Sequence, residues 1–70
     1  MAKISFEEFV KKVEEDVKKT PEVFKRYQAR GGSKDEDAAV FLEAAYSRLQ
    51  NGTDESYAIN CASSDIFMEY

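Results

Sequence analysis

From Phe6 onward, apolar residues recur at three- and four-residue steps (Phe6, Phe9, Val10, Val13, Val17) with charged residues between them. That spacing lines one side of a helix and predicts an element over about 6–19. Its start is marked twice. Ser5-x-x-Glu8 is a capping box, and Ile4 with Phe9 has the spacing of a hydrophobic staple. Thr20-Pro21-Glu22 then restarts the chain with a cap residue, a proline in the first helical position and an acid behind it. A second helix follows to about Arg30, with Val23, Phe24 and Tyr27 on its apolar side and Gly31-Gly32 as its stop. Ser33-x-x-Glu36 reads as a second capping box, which starts a third helix over about 34–50. Ala38, Phe41, Leu42, Ala45, Tyr46 and Leu49 form its apolar face, and Asn51-Gly52 closes it.

Beyond Gly52 the pattern weakens. Thr53 can cap a short helix with Tyr57, Ala58, Cys61 and Ala62 on one side, whereas alternation of Tyr57, Ile59 and Cys61 suits a strand. Ser63-Ser64-Asp65 reads as a break, after which four of the last five residues, Ile66, Phe67, Met68 and Tyr70, are large and apolar. The expected fold is therefore all-α: three helices closed at Gly52, plus a short fourth helix or an extended tail. Residues 1–55 form the helical domain, and residues 56–70 either pack back on it or enter a partner's groove.

Charge divides the chain in two. Residues 1–30 carry eight Lys/Arg against six Asp/Glu, while residues 31–70 carry two against eight, for a net charge of −4. An acidic second half does not suit a phosphate backbone, so direct nucleic-acid binding is not expected. No apolar run is long enough to span a membrane and no signal-type start is visible, so the chain reads as cytoplasmic. Asn51-Gly52-Thr53 matches a glycosylation sequon, which has no meaning in that compartment.

The absence of histidine and the single Cys61 exclude zinc fingers, Cys–His nucleophile pairs and Ser–His–Asp triads. The acids at 35–37 lack the spacing of a calcium loop, and Cys61 has no neighbouring base to activate it. The sequence thus points to a non-enzyme without cofactor or metal that acts by binding a protein. The candidate contacts are the tail residues Tyr57, Ile59, Cys61, Ile66, Phe67, Met68 and Tyr70. A homodimer through this apolar tail fits the same pattern.

The stretch "SFEEFVKKVEED" resembles the opening helix of Nif11-type leader peptides. "TPEVFKRYQARGGSKDEDAAVFLEAAYSRLQNG" is similar to the small LigA-like helical domains of split borosin precursors. Both are ribosomally made peptide precursors in which a helical leader docks on a modifying enzyme. The resemblance implies that residues 1–55 are the leader and residues 56–70 the core presented for modification. The chain departs from the Nif11 pattern in four extra residues between Asp16 and Pro21 and in lacking the later segment, and from the LigA-like pattern in its Pro-to-Gly spacing; no Gly-Gly junction stands directly before residue 56. The alternative is an acidic phage-type inhibitor of the anti-restriction or anti-CRISPR class, which meets a nucleic-acid-binding groove through Asp35, Glu36, Asp37, Glu43, Asp54 and Glu55.

Overall fold

A computed structural model of the chain describes residues 4–70. Helix α1 spans Phe6–Val17, α2 Pro21–Ala29, α3 Glu36–Gln50 and α4 Glu55–Glu69, with one 3-10 turn at Gly32–Lys34. No strand occurs among the described residues.

Of the caps read from sequence, the Ser5/Glu8 box is formed, whereas Thr20 precedes α2 without a side-chain cap bond and the residue before α4 is Asp54 rather than Thr53. Ser5 Oγ accepts from the Glu8 N–H at 3.1 Å, and Glu8 Oε1 accepts from the Ser5 N–H at 3.5 Å. Ile4 packs on the core, and its carbonyl accepts from the Tyr46 hydroxyl at 2.9 Å. Tyr46 lies edge-on to Phe6 (5.3 Å) and beside Phe9 (5.6 Å), which ties the entry of α1 to the middle of α3. Phe6 itself stays at the edge of the bundle rather than in the core.

α3 begins two residues later than expected. The cap is Asp35, whose carboxylate accepts from the Ala38 N–H, and Ser33 falls inside the 3-10 turn. The turn is possible because Gly31 adopts φ +111°, which side-chain-bearing residues rarely do. At the other end of α3 the Thr53 N–H bonds to the Arg48 carbonyl and the Gly52 N–H to that of Leu49. With Gly52 at φ +104°, this is a Schellman stop that folds the chain back into α4.

The largest departure from expectation is α4. It is a 15-residue helix, as long as α3, and it runs without a break through Ser63-Ser64-Asp65. Serine and aspartate cost only a few tenths of a kcal/mol each in a helix interior, an amount that packing on either side outweighs. Ala58, Ala62 and Ile66 are fully buried. α4 lies against both α1 and α3, which meet each other far less than each meets α4. The core is thus Phe9, Val13 and Val17 from α1, Tyr27 from α2, Leu42 and Ala45 from α3, and the small inner face of α4. Alanines on α3 and α4 let these two helices approach closely. In this fold α4 therefore completes the core between α1 and α3.

One polar group in this seam is unsatisfied. Ser63 is 1% exposed, and its hydroxyl has no hydrogen-bond partner among the described residues. Ser63→Ala removes a buried unpaired hydroxyl and adds a better helix former, so it is expected to stabilise the protein by about 1 kcal/mol. The thermal midpoint should rise by about 4–8 °C, measurable by circular dichroism. A drop in the midpoint would show that the hydroxyl is bonded in solution.

Candidate protein-interaction face

The outward side of α4 joins exposed apolar residues to unpaired acids. Tyr57, Asn60, Ser64, Phe67 and Met68 recur at three- and four-residue steps and share the side turned away from the core. Tyr57 is 57% exposed, Phe67 37% and Met68 86%. Asp54, Asp65 and Glu69 are exposed around them, and no lysine or arginine occurs in α4. Among the described residues no cation lies within ion-pairing distance of Glu36, Glu43, Asp54, Asp65 or Glu69. Asp54 precedes α4 as its cap residue, yet its carboxylate accepts no capping hydrogen bond.

The rest of the expected tail set turns inward. Ile66 is wholly buried, and Ile59 and Tyr70 pack against the core. Cys61 is half-buried, with its Sγ 3.6 Å from Arg48 Nη1. Tyr70 is held from several sides: its hydroxyl donates to the Asp35 carboxylate, and its ring lies 6.0 Å from that of Tyr27. The Arg30 guanidinium sits over the ring at 4.6 Å, and Arg26 Nε donates to the Tyr70 carbonyl. The end of α4 is therefore clasped by α2 and the start of α3.

The acidic set divides similarly. Asp35 caps α3, receives the Tyr70 hydroxyl and pairs with Arg30 at 3.6 Å; Asp37 pairs with Arg30 at 3.3 Å. Glu55 bonds Lys12 Nζ at 3.0 Å, which raises the Lys12 pKa. Glu36, Glu43 and Asp54 remain available. Reasoning from sequence missed Asn60, Phe67's neighbour Ser64 and, on α1, Asp16, because only a continuous α4 brings them to one surface or its edge.

The clasp has a pH signature. The Tyr70 hydroxyl bond holds the Asp35 carboxyl below its usual range. Burial, followed by the bond to Asp35, pushes Tyr70 up to about 12. Burial, followed by the Glu14 carboxylate at 2.9 Å, raises Tyr27 further. A phenol whose folded pKa is raised contributes stability that is complete below its unfolded value of about 10 and lost as pH rises through the folded value. The urea midpoint should thus be flat from neutral pH to about 9 and fall above about 10. Tyr27→Phe should flatten that alkaline fall; an unchanged fall would separate it from Tyr27.

Comparison with family models, with curated proteins and with solved structures returns no match. Among the described residues no three Asp, Glu or Cys side chains converge as a metal site, and no helix is long and apolar enough to cross a membrane.

Proposed function

We propose that this chain is a binding protein of the acidic inhibitor type, whose α4 face occupies a basic, nucleic-acid-binding surface of a protein partner. The observation that carries this reading is the composition of that face: three exposed large apolar residues, Tyr57, Phe67 and Met68, among Asp54, Asp65 and Glu69, with no base in the helix. Aromatic and methionine anchors give a protein interface its affinity, and complementary charge gives it speed and selectivity. The peptide-precursor reading instead asks residues 56–70 to leave the bundle for an enzyme's cleft, and these residues supply Ala58, Ala62 and Ile66 to the core. That use of the segment supports the inhibitor reading over it.

Affinity capture with the wild type and with the Asp54→Lys/Asp65→Lys variant tests the proposal. The wild type should retain a nucleic-acid-binding protein that is released by added salt or by competing oligonucleotide, and the variant should fail to retain it. Retention by both proteins regardless of salt would contradict it. A mass shift in residues 56–70 on co-expression with a neighbouring modifying enzyme would restore the precursor reading.

A further inference from the structure

Where the first turn of α4 passes the end of α1, the surface opens into a cleft of about 550 Å³ lined by Asp16, Asp54, Ser56, Tyr57, Ile59 and Asn60. Its chemistry is one-sided. Two carboxylates face it from different elements, Tyr57 offers a largely exposed ring, Ile59 gives an apolar wall, and Asn60 adds an amide. Asp54 makes neither a cap bond nor an ion pair among the described residues. Among the described residues Asp16 pairs only with Lys19, at 3.4 Å, and that lysine side chain is 79% exposed and easily displaced. A second cleft, lined by Phe6, Glu7, Val10, Lys11, Glu14 and Ser33, holds a lysine among its acids and lacks this bias.

We infer that the α1–α4 cleft receives an arginine side chain of the partner, its guanidinium stacked on Tyr57 and its N–H groups donated to Asp16 and Asp54. This rests on the acidic-inhibitor reading and assigns the contact at its centre. The charge of the cleft calls for a cation, and its shape selects among cations. A dedicated calcium cage takes about 6–8 oxygen ligands, and among the described residues no three Asp, Glu or Cys side chains group here to begin one. An ammonium is a compact, strongly hydrated charge, whereas a guanidinium is planar, presents several donors in a fixed fork and stacks on an aromatic face. A cleft whose lining joins an exposed ring to carboxylates from two parts of the chain fits the second.

The test is an NMR titration of the 15N-labelled full chain at low salt with an acetylated, amidated peptide of alternating alanine and arginine, and with its lysine counterpart. The arginine peptide should give saturable shifts centred on Asp16, Asp54, Tyr57 and Asn60, and should bind more tightly than the lysine peptide. Tyr57→Ala, an exposed substitution that leaves the core untouched, should weaken it by about two- to fivefold. Equal binding of the lysine peptide would overturn the arginine assignment. Shifts centred on Asp65 and Glu69 would overturn the cleft while leaving the acidic reading of the α4 face intact. No saturable shift anywhere would overturn both.

Discussion

Ile66→Ala is expected to lower the unfolding free energy by about 2–5 kcal/mol. A 70-residue domain has only about 3–5 kcal/mol to lose, so the variant should be largely unfolded near physiological temperature. The side chain is fully buried on the inner face of α4, whose other buried residues, Ala58, Ala62 and Ser63, are too short to refill the space that truncation leaves. Met68→Ala, two residues further along the same helix and 86% exposed, supplies the control and should change stability by less than about 0.5 kcal/mol. Urea unfolding followed by circular dichroism compares the two. Equal small effects would mean that α4 is not docked as described.

That contrast between Ile66 and Met68 is what the sequence conceals. α1 was legible because its signals are local and agree: a capping box, a staple and a stripe of large apolar residues on one side. α3 was legible in its interior but not at its start, because Ser33 and Asp35 both have cap chemistry and only the fold of Gly31-Gly32 decides between them. α4 gave no such contrast. Its buried side is made of the small residues Ala58, Ala62 and Ser63 with Ile66 as the one large side chain, and three of its large apolar residues, Tyr57, Phe67 and Met68, face outward. An apolar count along the chain therefore points the wrong way, and Ser63-Ser64-Asp65 strengthens the false impression of a break. The anchors of the chain's last residue, Asp35 and Arg30, are also remote in sequence.

The candidate site was half legible for the same reason. Tyr57, Phe67, Met68, Glu36, Glu43 and Asp54 stand at the surface as composition alone suggests. Ile66 went to the core, and Asp35, Asp37 and Glu55 went to internal pairs, because each lies within reach of a partner that only the tertiary fold supplies. What remains exposed on and beside α4 is a coherent surface, with the apolar anchors Tyr57, Phe67 and Met68 next to the carboxylates of Asp54, Asp65 and Glu69, while Glu36 and Glu43 stand apart on α3.

The most direct test of this account is the behaviour of a chain cut after Glu55. If α4 fills the space between α1 and α3, its loss uncovers apolar residues on both, and what is left of their mutual contact is too small to hold them. Residues 1–55 should then show no cooperative thermal transition, reduced helicity in far-ultraviolet circular dichroism and a collapsed amide spectrum. A truncated chain that unfolds cooperatively and keeps a dispersed amide spectrum would contradict the account, since residues 56–70 would then be separable from a bundle that folds without them.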